Sequence, residues 1–106
     1  MVIEDQESIS AWADKTFGPA SSNARVAAEA YEEMAEPLRA LIADDNDAKA
    51  AEAVANVVIV LCRLMTRTGR NLGEEVARKM AINRARQWNL TADGHGYVRD
   101  KTNALR

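Results

Sequence analysis

Four glutamates share one face of a predicted helix in the first half of the chain: Glu29, Glu32, Glu33 and Glu36. At 100° per residue they fall within an arc of about 100°. The like-charge pairs Glu29–Glu33 and Glu32–Glu36 each cost roughly 0.2–0.5 kcal/mol in an isolated helix. A hard divalent cation such as Mg²⁺ would relieve this repulsion, because it takes carboxylate oxygens as ligands. Spacing alone nevertheless favours a solvated face, on which Arg25 and Arg39 pair with Glu29 and Glu36.

A second polar stripe interrupts an otherwise apolar segment at Glu52, Asn56 and Arg63. A buried carboxamide is costly unless it is hydrogen-bonded or coordinated, so Asn56 needs a partner. Two interpretations stay open for Asn56: a core asparagine with an internal partner, and a residue at a ligand site.

A third stripe consists of Lys79, Asn83 and Arg86, which recur at i, i+4 and i+7. Two cations and a carboxamide therefore point the same way on a helix. Such donors suit phosphate oxygens, which accept charge-assisted hydrogen bonds. An ordinary solvated face, with Glu75 as an intrahelical partner, also explains the pattern. This second explanation is favoured when the stripe is considered alone.

Four helices are predicted to position these stripes, over residues 8–16, about 24–43, about 48–67 and 72–88. The third is apolar almost all the way round between Ala53 and Met65, as expected of a helix enclosed by neighbours. Its β-branched run would also suit a strand, but some twenty residues without a turn signal far exceed the usual strand length. We expect a single all-α domain, a compact four-helix bundle, followed by a glycine-containing polar tail over 89–106.

The composition indicates which binding partners and which cellular compartment to expect for this protein. A formal net charge of −2 over 106 residues gives no overall attraction to nucleic acids or anionic membranes, so neither is expected as a partner. The single cysteine, Cys62, excludes an intramolecular disulfide and fits a reducing compartment as a buried thiol. No signal segment opens the chain, and the longest apolar run, 57–62, is far shorter than the roughly 20 residues that span a bilayer. We expect a cytoplasmic protein.

Several segments together match one family pattern: Glu32-Glu33-Met34-Ala35-Glu36, Trp12 with Thr16-Phe17-Gly18-Pro19, the run 57–61 ahead of Arg63-Leu64, the block 79–88, and Asp93-Gly94-His95-Gly96-Tyr97. The chain resembles the MazG-like all-α nucleoside triphosphate pyrophosphohydrolases, whose signature is EExxE on one helix and ExxD at the start of the next. The block 79–88, which ends in Trp88, is the most specific part of the resemblance.

The resemblance implies a MazG-type bundle completed by dimerisation, as a homodimer or a dimer of dimers. It implies hydrolysis of a nucleoside triphosphate to a nucleoside monophosphate and pyrophosphate, with Mg²⁺, or Mn²⁺ in its place, as cofactor. The metal ligands would then include Glu32, Glu33 and Glu36, with Glu33 as the catalytic residue. The phosphates would be held by Lys79, Asn83 and Arg86.

The second half of the signature is altered, since Ala53 stands at the usual glutamate position and Asn56 at the usual aspartate position. Asn56 still offers a carbonyl oxygen, and Glu52, one residue earlier than the pattern, lies on the same stripe, so both complete the expected metal shell. Pro37 also departs from the pattern, and the kink it favours would re-aim Glu36.

The loss of two formal charges predicts weaker metal binding, with one ion or none. The expected function is therefore a pyrophosphohydrolase with an altered site. The alternatives are a catalytically weak or inactive nucleotide-binding or regulatory protein on the same fold, and a structural helical assembly module.

Overall fold

The structure, a computed structural model, describes residues 2–99. The chain divides into two compact units, one up to Leu72 and one from Gly73 onward. The first unit contains four helices: α1 (Gln6–Phe17), α2 (Asn23–Glu33), α3 (Ala35–Ile42) and α4 (Asp47–Arg67). The expectation of a mostly helical protein is confirmed. No helix within residues 2–99 is long and apolar enough to cross a bilayer.

Side-chain caps fix where three of these helices begin. Asp5 and Ser8 form a reciprocal capping box at α1, Ser22 accepts a hydrogen bond from the backbone N–H of Arg25, and Asn46 accepts one from that of Lys49. Each cap satisfies a donor in the first turn, which has no acceptor within the helix. At the other end of α1, Gly18 takes φ +76°, which favours glycine and lets the chain turn.

The helix predicted over 24–43 is interrupted, which corrects that expectation. The structure ends α2 at Glu33 and begins α3 at Ala35, with Met34 between them. Pro37 explains the position, because it has no N–H to donate to the Glu33 carbonyl and its ring crowds that carbonyl. Glu32 and Glu33 therefore lie on one helix and Glu36 on the next.

The core of the first unit is built from small side chains on helices that all pack against α4. Its buried apolar residues are Ala13, Val26, Ala30, Ala40, Ala50, Ala53, Val57 and Cys62. Small residues allow close approach of the helices but bury little apolar area each. Burial also raises the pKa of the Cys62 thiol, which fits the expected unreactive cysteine.

Two expectations about burial are wrong. The helix α4 is not enclosed on all sides within the described chain, since Val54 and Val58 are 49% and 41% exposed. The apolar periodicity of the second predicted helix favours an apolar face that packs inward, but the larger residues of that face are exposed: Tyr31, Met34, Leu38, Leu41 and Ile42. The smaller side chains Val26, Ala30, Pro37 and Ala40 take the inner positions because they permit the tighter packing.

The second unit consists of α5 (Leu72–Ala85), which starts at the unit boundary, and an antiparallel pair of strands, β1 (Trp88–Leu90) and β2 (Gly96–Val98). The helix predicted to reach Trp88 ends earlier, and part of the predicted polar tail is this hairpin. The Trp88 indole N–H donates to the Asn83 carbonyl at 3.0 Å and ties the hairpin to α5. Gly96 is required for pairing, because a Cβ there would lie 2.9 Å from the Asn89 carbonyl oxygen. The end of the predicted tail, 100–106, lies outside the described residues.

Candidate functional site: a polar cavity between three helices

A cavity of about 240 Å³ opens between α1, α2 and α4 in the first unit. Its apolar walls are Trp12, Ala13, Phe17, Ile59 and Val60, and its polar groups are Glu29, Glu33, Asn56 and Arg63. The cavity thus combines part of the acidic face of α2 with part of the polar stripe of α4.

Helical spacing explains why these side chains meet. On α2, Val26 and Ala30 are buried, and Glu29 and Glu33 follow one edge of that buried stripe one turn apart. On α4, Asn56 and Arg63 are separated by two turns, so they lie on the same side of the helix. The packing of α2 on α4 then brings the two glutamates and the asparagine to one cavity.

The three oxygen-bearing side chains of the cavity have no internal partner. Glu29 and Glu33 are half-buried and Asn56 is exposed. Among residues 2–99, none of the three makes a side-chain hydrogen bond or an ion pair. The interpretation of Asn56 as a buried core asparagine is therefore wrong, and its carboxamide faces solvent within the cavity.

Three of the expected metal ligands do not line the cavity: Glu32, Glu36 and Glu52. Glu32 is exposed on the far side of α2, and Glu52 is exposed one turn before Asn56. Glu36 lies on α3 and pairs with Arg39 at 2.9 Å. Half of the solvated-face interpretation is thus observed, whereas the corresponding pair of Arg25 with Glu29 is not formed.

Glu29 is the cavity residue that sequence reasoning left out of the expected metal shell. The signal was present in its i,i+4 spacing to Glu33, but the family signature begins at Glu32 and directs attention away from it. The helix is interrupted at Met34, and the glutamate that shares the cavity with Glu33 is Glu29, upstream of the interruption, rather than Glu36.

Carboxylates and amide carbonyls are oxygen donors of the kind that Mg²⁺ takes as ligands. This ion is commonly held by one or two carboxylates and keeps other positions for water and substrate phosphates. Within the described part of the chain no group of three or more His, Cys, Asp and Glu side chains is placed to hold a metal ion.

Arg63 is the only cation lining the cavity among residues 2–99 and is 8% exposed. One of its terminal nitrogens donates to the Gly18 carbonyl and, at 3.2 Å, to the Asp14 carboxylate. Its Nε is buried and has no hydrogen-bond partner. Arg63 thus anchors the end of α1 and still presents an unsatisfied donor.

An aromatic pair forms one wall of the cavity. The rings of Trp12 and Phe17 are 5.4 Å apart and nearly perpendicular, at 85°. Both are more than half exposed, with relative exposures of 54% and 67%. Large aromatic surfaces left open beside polar groups are typical of ligand sites, where a flat group can cover them.

The third predicted stripe lies in the second unit. Lys79 and Asn83 are one turn apart on α5, and Arg86 follows directly after the helix ends at Ala85. All three are half-buried. Glu75, the intrahelical partner considered from sequence, pairs with Arg78 at 2.7 Å.

Comparison with protein-family models, with curated proteins and with solved structures gave no match. The residues of the cavity and the sequence motifs are therefore the available indicators of function.

Proposed function

We propose that this protein is a cytoplasmic, Mg²⁺-dependent nucleoside triphosphate pyrophosphohydrolase with an altered metal site, working as a homodimer or a dimer of dimers. The observation that carries the proposal is the convergence of Glu29, Glu33 and Asn56 on one cavity, each without a side-chain partner within residues 2–99. The EExxE motif and the block 79–88 add support from sequence resemblance.

In the proposed site, Glu29, Glu33 and Asn56 would hold one Mg²⁺, which when bound would neutralise phosphate charge and leave positions open for water and phosphate oxygens. Glu33 has a second carboxylate oxygen, which would accept a proton from the attacking water. The resemblance assigns phosphate binding to Lys79, Asn83 and Arg86 of the second unit, which suit phosphate oxygens as hydrogen-bond donors. The products would be a nucleoside monophosphate and pyrophosphate.

A second candidate is a protein that binds nucleotides on the same fold without efficient turnover. It is favoured by one observation: Ala53, at the usual glutamate position, is only 8% exposed and belongs to the core. A metal ligand is thus missing from that position, and Glu52 does not line the cavity in its place.

The deciding experiment compares Glu33→Gln with Glu32→Gln, a matched control that removes a neighbouring carboxylate from the outer side of α2. Pyrophosphate release and nucleotide binding are followed in the same samples, over a Mg²⁺ titration and a panel of ribo- and deoxynucleoside triphosphates. We expect Glu33→Gln to lower turnover at least a hundredfold, in the range of removed acid–base groups, and Glu32→Gln to change it less than threefold.

Each result of this comparison decides between the candidates. Nucleotide binding without pyrophosphate release in the unmodified protein would overturn the enzymatic proposal and favour the second candidate. Turnover equally reduced by both substitutions would contradict the assignment of the site to this cavity. A protein that neither binds nor hydrolyses any nucleotide would favour a structural assembly module.

A further inference from the structure

The buried guanidinium of Arg63 is only partly explained by its internal contacts. An arginine presents five N–H donors in a planar fork and cannot lose its charge in a protein. The Gly18 carbonyl and the Asp14 carboxylate both accept from the same terminal nitrogen. The buried Nε is left without a partner, and an unsatisfied donor at a buried position is costly unless something else accepts from it.

The location of Arg63 indicates what that acceptor would be. Arg63 lines the same cavity as Glu29 and Glu33, yet forms no ion pair with either of them among the described residues. Its one carboxylate partner, Asp14, has a side chain that is 56% exposed, so that pair is strongly screened by water. The cavity therefore contains a fixed positive charge that forms no ion pair with the cavity's own carboxylates among the described residues.

The formal charges of the cavity also favour an anionic ligand. The ionisable side chains of the cavity are Glu29, Glu33 and Arg63, which sum to −1, and one divalent ion would bring the cavity to +1. With a divalent ion bound, a cavity that also contains Arg63 and its buried, unpartnered Nε–H would attract a group with several anionic oxygens. Arginine is especially suited to phosphate, which it can meet with directed hydrogen bonds.

We propose that Arg63 is a phosphate-binding residue of this cavity, and that its Nε–H donates to a phosphoryl oxygen of the bound ligand. Its guanidinium supplies the positive charge that a second metal ion supplies in two-metal sites. This inference rests on the proposed function for its ligand class, but it concerns binding and can be tested without turnover.

The probe is inorganic tripolyphosphate, because it carries the phosphate oxygens and requires no knowledge of the base or sugar. Binding to the full chain is measured calorimetrically with and without Mg²⁺. We expect Arg63→Lys, which keeps the charge but removes the directed Nε–H, to weaken binding at least fivefold in both conditions. Asp14→Asn, the matched control, removes the other side of the ion pair outside the cavity and should change the affinity less than twofold.

A second measurement needs no substitution at Arg63 and so does not depend on the folding of a variant. The assigned ¹H–¹⁵N signal of the Arg63 Nε–H is recorded during a tripolyphosphate titration of the unmodified protein. We expect it to shift with saturation, while the Nε–H signals of Arg39 and Arg78, both in exposed surface pairs, shift much less.

The outcomes separate this inference from the proposed function. Tripolyphosphate binding that depends on Arg63, in a protein that releases no pyrophosphate from nucleotides, would support the inference and overturn the enzyme. Loss of thermal stability in Arg63→Lys with unchanged affinity and an unshifted Nε–H signal would assign Arg63 a purely structural role and overturn the inference. Unaltered pyrophosphate release by Arg63→Lys would leave the enzyme standing and also count against the inference.

Discussion

At the scale of residues, the cavity separates two carboxylates that a sequence pattern treats alike. Glu32 and Glu33 are adjacent in the EExxE motif, but only Glu33 lies beside the buried stripe of α2 and lines the cavity. Asn56 was expected to be buried and to need a hydrogen-bond partner for its carboxamide. It is exposed in the cavity, so its carboxamide carries no desolvation cost. The residue types therefore indicated which side chains could bind a ligand. Their burial could not be predicted, because it depends on which stripe of each helix packs inward.

Asn56 offers a direct test of the electrostatics of the site. Asn56→Asp adds one negative charge to an exposed position of nearly the same shape, so the fold should be unaffected. We expect Mg²⁺ affinity to rise about tenfold, since about 1.4 kcal/mol is a modest fraction of the attraction between a carboxylate and a nearby divalent ion. Titration calorimetry measures the change, with Glu52→Gln as a control that removes an exposed carboxylate outside the cavity. Equal affinities for Asn56→Asp and the unmodified protein would exclude Asn56 from the metal shell.

At the scale of elements, local sequence signals predicted the helices better than their ends and inner faces. The length and apolar character of α4 and the end of α1 to within one residue were predicted directly, because caps, glycine and periodicity act within a few residues. The interruption at Met34 arises from Pro37. The sequence predicted that Pro37 would re-aim Glu36, but it did not predict where the helix would be interrupted. The hairpin over 88–98 was not predicted, because its short strands carry no alternating apolar pattern. It depends instead on Gly96 and on the hydrogen bond from Trp88 to Asn83. Hydrogen bonds from Arg99 to Gln87 and Asn89 stabilise it further.

The cap of α2 gives a prediction at this scale, since that helix carries both cavity glutamates. Ser22 accepts a hydrogen bond from the Arg25 N–H at 3.0 Å. We expect Ser22→Ala to lower the free energy of unfolding by about 1 kcal/mol, and the melting temperature by roughly 4–8 °C. Ser21→Ala is the matched control, because Ser21 is exposed and makes no side-chain hydrogen bond within residues 2–99. Thermal unfolding followed by circular dichroism distinguishes them, and equal melting temperatures would show that the cap contributes nothing.

At the scale of the whole molecule, the first unit buries few large side chains and exposes many. The largest of its buried apolar side chains are two valines, Val26 and Val57. In contrast, an outer apolar face runs along α2 and α3 over Tyr31, Met34, Leu38, Leu41 and Ile42, whose exposed fractions range from 49% to 84%. Contiguous apolar surface of this kind is rare on isolated monomers and is typical of interfaces. Sequence periodicity identified these residues as an apolar face but did not indicate what covers it.

The proposed homodimer predicts that a second copy covers this outer apolar face. We expect the unmodified protein to sediment as a dimer or a larger even-numbered assembly at micromolar concentration, because covering these side chains removes apolar area from water in both copies. Leu38→Asp places a charge in the middle of the face, at a side chain that is 60% exposed in the single chain, and should shift the protein to monomers while the helical circular dichroism signal persists. Ile3→Asp is the control, since Ile3 is 92% exposed and lies outside that face. A stable monomer of the unmodified chain, or equal sedimentation of both variants, would show that self-association through α2 and α3 does not complete the core.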